Sequence, residues 1–215
     1  MSSYKRKEED NAQPPTPPRW KGADSLELVY RLNERAFTLL KQSAGPHGEL
    51  WPQLDTEALR DAARFPFLIV DVYFIDEAWW RSVLLNPQGL IGQGAMACLW
   101  TPEAAQKLTS EVLVFAWHMA RWDRGVARLV LGMVPPVVEI FRELTPQELD
   151  AVSGLHGGAL RLRWHEDQEF WTRLVSAAWD GDREALADIH LHAKLLLSGE
   201  LMGKAIARST GKVEM

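Results

Sequence analysis

The run WTPEAAQKLTSEVLVFAWHMARWDRGVARLVLG, from Trp100 to Gly132, opens with a helix start written into its own chemistry. Thr101 is an N-cap residue and Pro102 suits the first helical position, where its missing N–H costs nothing. Leu108, Val112, Phe115, Ala116 and Met119 then recur at three-to-four spacing, the period of a helix that buries one face. A second apolar run, Val126 to Leu131, ends at the breaker Gly132. A long amphipathic helix followed by a short one makes the centre of the chain helical.

Working outward, Asp24 caps a helix carrying Leu26, Val29, Tyr30, Leu32, Ala36, Leu39 and Leu40 until Gly45-Pro46 stops it. Asp55 or Thr56 caps a short helix through Ala63. Phe67 to Phe74 is β-branched and aromatic, of strand length. Asp76 to Leu85 is a helix ended by Asn86-Pro87, and Gly89, Gly92 and Gly94 form a connector. Toward the C-terminus, Pro135-Pro136 opens a short helix to Arg142, and Thr145 to Glu148 opens another to Val152. After a turn at His156 to Gly158, Ala159 to Trp164 alternates as a strand. Gln168 to Trp179 and Asp182 to Leu201 are helices.

The fold class expected is mainly α, with two similar multihelical halves that each hold one short strand. Leu54 to Leu59 parallels Leu144 to Leu149, and in both halves 20 residues separate the opening Leu from the aromatic end of the strand, Phe74 or Trp164. Trp79-Trp80 with Val83 parallels Phe170-Trp171 with Leu174 after one insertion, so an internal duplication is expected. Residues 1–23, with Pro14, Pro15, Pro17 and Pro18, read as a disordered tail. Residues 24–100 and 101–203 read as the two helical units, and 204–215 as a frayed end.

With 24 Lys+Arg against 29 Asp+Glu among 215 residues, the chain is not a strongly basic nucleic-acid binder. The single cysteine, Cys98, excludes an internal disulfide or a Cys-based metal site made by this chain alone. No apolar run is long enough to span a membrane and no secretory signal opens the chain, so a cytoplasmic protein is expected. Ten tryptophans point to wide helix contacts or an interface. Core packing accounts for most indoles in general; Trp79, Trp80, Trp117, Trp122, Trp164 and Trp171 are the interface candidates.

No catalytic constellation emerges. His190 and His192 are two apart and point away from one another on a helix, so they do not form a metal pair. His165-Glu166-Asp167 reads as helix-start chemistry, Ser153 lacks a nucleophile elbow, and Cys98 lacks an activating neighbour. The chain is therefore expected not to be an enzyme and to carry no metal or cofactor. Arg121, Arg124 and Arg128 cluster with Trp117 and Trp122, and Arg161 and Arg163 share one side of a strand. These could position phosphates. Against that, acidic Asp123, Glu139, Glu143, Glu148 and Asp150 lie among them, and solvated faces are the usual role of such charges.

Over residues about 101–201 the chain resembles FlhD, the helical subunit of the flagellar transcriptional activator, whose relatives also act in conjugative elements. The resemblance is carried by Asp123-Arg124, Leu131-Gly132, Leu144-Thr145 with Leu149, Arg163-Trp164 and the helix Ala185 to His190. It implies a transcriptional regulator component that binds DNA in a hetero-oligomer with a zinc-bearing FlhC-like partner, with self-association as a further option. Arg121, Arg124 and Arg128 would touch phosphate, Asp123 would orient an arginine, and Arg161 and Arg163 would join the surface. Val130 and Leu160 stand where the family has a basic residue and a cysteine. The second expectation is accordingly an interaction adaptor or antagonist that has lost direct DNA contact.

Overall fold

The computed structural model describes residues 22–42, 54–86, 99–155 and 157–210. The tail prolines, the glycine connector, Cys98 and His156 lie outside them. The described chain is mainly helical: α1 (Gly22–Gln42), α2 (Thr56–Ala62), β1 (Val70–Asp71), α3 (Glu77–Leu85), α4 (Pro102–Trp122), α5 (Arg124–Leu131), α6 (Pro135–Glu143), α7 (Pro146–Leu155), β2 (Arg161–Leu162), α8 (Gln168–Asp180) and α9 (Arg183–Thr210). The two strands form one antiparallel pair, with Val70 opposite Leu162 and Asp71 opposite Arg161.

The caps follow the sequence. Thr101 accepts from the Ala104 N–H and Pro102 stands at the first helical position of α4. Asp55, Asp76, Asp123 and Asp167 each accept a first-turn N–H from α2, α3, α5 and α8. Thr145 and Glu148 exchange bonds in a capping box, the Thr145 N–H donating to the Glu148 carboxylate at 2.8 Å. That donor and the Thr145 hydroxyl hold the Glu148 carboxyl below its ordinary range. Every residue expected to face inward from α4, from Leu108 to Met119, is buried.

Three boundaries differ from expectation. α1 starts at Gly22, ahead of Asp24. α9 continues to Thr210, because Gly199 and Gly203 each weaken a helix by only about 1 kcal/mol and no proline follows to stop it. The two strands are short. Leu68, Ile69, Val70, Val72 and Phe74 are all enclosed, so this segment runs through the core and has no room for a long ladder. Its backbone is satisfied piecemeal instead: the Leu68 N–H donates to Val130 O, the Arg163 N–H to Ile69 O, and the Val134 N–H to Phe74 O.

The side chain of Asn33, fully buried on α1, completes this satisfaction. Its amide nitrogen donates to Phe67 O (3.0 Å), Ala63 O (3.2 Å) and Phe65 O (3.4 Å), and its oxygen accepts the Ile69 N–H at 3.1 Å. One amide thus fixes the chain between α2 and β1.

The helices pack reciprocally. α1 lies on α2 as α4 lies on α7; α2 packs on α8 as α7 packs on α3; α1 meets α4 and β1 meets β2. The turns after the strands match as well. Tyr73 and Trp164 both adopt positive φ, 50° and 51°, and their carbonyls accept the N–H of the capping residues Asp76 and Asp167. Tyr73 and Trp164 thus hold like places in two like turns.

Replacing Asn33 with Leu removes four hydrogen bonds; Ala63 O keeps the Phe65 N–H, while Phe65 O, Phe67 O and the Ile69 N–H lose the partner described for them. A loss of about 3 kcal/mol in denaturant unfolding is expected. A loss below about 1 kcal/mol would show that the segment is held without it.

Candidate functional site

The corner between α4 and α5 carries the first group of candidate arginines. Arg121 lies over the Trp117 ring, 4.3 Å from its centre, and its Nε donates to Arg142 O at 3.1 Å. The Trp117 indole donates to Leu144 O at 2.8 Å. Both side chains thus close the C-terminal end of α6, whose last carbonyls lack helical partners. Asp123 accepts the Val126 N–H at 2.9 Å and caps α5, and it pairs with no arginine among the described residues. Arg124 pairs with Glu139 at 3.1 Å on an exposed surface, a contact worth at most about 1 kcal/mol. Arg128 is exposed, one turn after Arg124, and forms no ion pair among the described residues.

The strand arginines have a different environment from the one expected. Both converge on Asp71, itself buried, Arg163 from within the protein and Arg161 from a partly exposed position. Arg161 pairs with Asp71 and lies over the Tyr73 ring, 4.0 Å from its centre. The Arg163 side chain is only 2% exposed. It donates to Leu68 O (3.0 Å), Leu131 O (2.7 Å) and Glu200 (3.1 Å), joining the buried segment, α5 and α9. Enclosed in this way, Arg163 is not a phosphate contact; it supplies a structural charge. Gly132, at φ 64°, gives it room, since a Cβ there would stand 2.8 Å from the guanidinium and 2.7 Å from Leu197.

Burial alone would raise the pKa of Asp71, but Arg163 and Arg161, with the Phe74 N–H, hold the carboxyl below its ordinary range. This cluster borders a cavity of about 330 Å³ that also touches His165, Glu166 and Trp164. Glu200 closes it from α9, accepting from the Trp164 indole at 2.6 Å.

The indoles divide. Trp80 and Trp171 are core residues, 0% and 1% exposed, and their N–H groups donate to Val72 O and Trp164 O; neither belongs to an interface. Both lie on the inward face of their helices, in line with Val83 and Leu174, which are buried as well. Trp79 stacks on Tyr73 and is half-buried, as are Trp117 and Trp164. Trp122 is exposed, and so is Trp179, which the sequence reading passed over. A second signal it passed over lies on α9. Leu191, Leu195 and Met202 form an outward line, 56%, 65% and 64% exposed, opposite the buried Leu186, Ile189, Ala193 and Leu197. Helical spacing of a second apolar stripe was the sign available.

Among the described residues no group of three or more His, Cys, Asp or Glu is placed to hold a metal ion. The Ser153 hydroxyl donates to Asp150 O inside α7, and His165 stands 3.7 Å from Glu166. His190 packs against Phe65, ring centres 4.4 Å apart, and burial holds its imidazole below the ordinary histidine value. No helix among the described residues is long and apolar enough to cross a membrane.

Because the folded-state pKa of Asp71 is depressed, its ion pairs stabilise the protein above the ordinary carboxylate range. That stabilisation disappears as pH falls through the lower, folded-state value. Urea unfolding of the protein and of Asp71→Asn should differ most at neutral pH and converge in acid. A gap that is constant with pH would contradict the ionised pairing. Comparison of the chain with protein-family models, with curated proteins and with solved structures finds no match.

Proposed function

We propose that this chain is a non-catalytic scaffold subunit of a gene-regulatory hetero-oligomer, contributing protein contacts while a partner contributes most of the grip on DNA. The observation that carries this reading is the double-sided apolar character of α9. Its inner stripe is packed against the fold, and its outer stripe, Leu191, Leu195 and Met202, stands in water. A soluble helix that satisfies only its own domain needs one apolar stripe; a second marks a surface for another protein. The occupant that fits is a partner presenting an apolar helix face.

The resemblance to FlhD adds the regulatory setting and the zinc-bearing FlhC-like partner. The environments of the arginines favour a reduced share of DNA contact for this chain. Arg163 is buried, Arg161 serves Asp71, and Arg121 closes a helix end. Direct contact through Arg124 and Arg128 is the second reading, favoured by their common exposed face on α5.

The Leu191→Glu, Leu195→Glu variant tests the first reading. Both side chains are largely exposed, so thermal unfolding should stay unchanged. Affinity for a partner that co-purifies from the native cell should fall by about tenfold or more, the effect of losing an interface anchor. Retained affinity would overturn it. The first reading expects the slope of DNA affinity against salt for the complex to be unchanged by Arg124→Glu, Arg128→Glu; the second expects it to fall. A slope that falls by about 2 would assign two phosphate contacts to this chain.

A further inference from the structure

Between the end of α2 and the first two turns of α9 lies a cavity of about 370 Å³, lined by Asp61, Arg64, Arg183, Leu186, Ala187 and His190. Helical spacing gathers its walls. Arg183, Ala187 and His190 stand at i, i+4 and i+7 and so share one face of α9, while Asp61 and Arg64 are three residues apart at the end of α2. The amide groups in the first turn of α9 are already taken, because Asp182 accepts the N–H of Glu184 and of Ala185. Side chains therefore supply the chemistry of the cavity. Neither Arg64 nor Arg183 forms an ion pair among the described residues, although Asp61 borders the same space. Arg64 lies 5.8 Å from the centre of the Tyr30 ring, a contact that takes none of its N–H donors. The Nε2 of His190 is buried and has no hydrogen-bond partner, a state that few buried polar atoms keep.

We infer that this cavity binds a small phosphate ester that carries a hydroxyl group. Arg64 and Arg183 hold the phosphate oxygens, the protonated Nε2 of His190 donates to the same group, and Asp61 accepts from the hydroxyl. Guanidinium forks match phosphate oxygens in geometry as well as in charge. A carboxylate beside a phosphate is repelled unless a donor stands between them, and the hydroxyl is that donor. A cavity of this size suits a small ligand. Leu191, Leu195 and Met202 do not line it, so the inference is independent of the partner contact proposed above.

The role of His190 makes binding depend on pH. The charges that face its ring are Asp61 and Arg64 at the end of α2, and Arg183 and Lys194 along α9. Burial holds the imidazole below its ordinary value; Ala62 O opposes this, Lys194 adds to it, and Asp61 opposes it. A bound anion favours the protonated ring and so raises its pKa. By linkage, affinity for the anion rises as pH falls through the histidine range.

Calorimetric titration of the full chain at low ionic strength with glycerol 3-phosphate, inorganic phosphate and sulfate provides the test. Glycerol 3-phosphate should bind about fivefold or more tightly than inorganic phosphate, and Asp61→Ala should remove that advantage. Arg64→Gln and Arg183→Gln should each weaken binding by about tenfold or more. Both side chains are exposed, so the thermal unfolding of these variants should match that of the unaltered chain. Sulfate keeps its charge across the histidine range and should bind about threefold or more tightly as pH falls from about 7 to about 5. In the unaltered chain the His190 ring, followed by NMR, should titrate at higher pH when sulfate is present. No binding of any of the three anions would overturn the inference. So would binding indifferent to both arginine variants, which marks a non-specific ion effect, equal affinity for phosphate and its glycerol ester, or a His190 titration that sulfate does not move.

Discussion

The chain from Phe65 to Phe74 crosses the interior, and an extended segment there cannot leave its N–H and C=O groups to water. That requirement organises the surroundings. Asn33 reaches from α1 to serve three carbonyls and one N–H, the end of α5 offers Val130 O to Leu68, and the Arg163 guanidinium takes Leu68 O. A paired ladder would have met the need with another long strand. This protein meets it with one amide, one guanidinium and two short strand residues, which explains why a helical protein contains so small a sheet.

The same requirement determines what the arginines can do. A buried guanidinium needs its donors filled and its charge balanced, and Arg163 has both through Leu68 O, Leu131 O, Glu200 and nearby Asp71. Asp71 then needs Arg161 as well, because it also carries the turn into Phe74. Charges committed in this way connect β1, β2, α5 and α9. Removing one partner from such a group leaves an uncompensated charge in the core, so the network is expected to be all-or-none.

Much of the fold was legible in the sequence because helix starts carry their own chemistry. Thr101-Pro102, Asp76 and Thr145 with Glu148 cap where expected, and the inward face of α4 follows from its spacing. The strands were overestimated because Phe67 to Phe74 is apolar or aromatic at every position but Asp71. Such a run reads equally as a strand or as buried extended chain, and only the available partners decide. Arg161 and Arg163 were read as an outward pair because alternation reports that two residues share a side without saying which side faces solvent. Asn33 carried a visible sign, a lone amide in line with Val29 and Phe37 on an apolar helix face, but its role depends on a segment more than thirty residues away. The outer stripe of α9 was masked by the stronger inner one.

The arginines divide into those that hold the fold and those that face solvent. Timed modification of the native protein with phenylglyoxal, followed by peptide mass spectrometry, reads that division directly. Arg128 should react rapidly, Arg161 slowly, and Arg163 only as the protein unfolds. Modification of Arg163 as fast as that of Arg128 in the folded protein would contradict it.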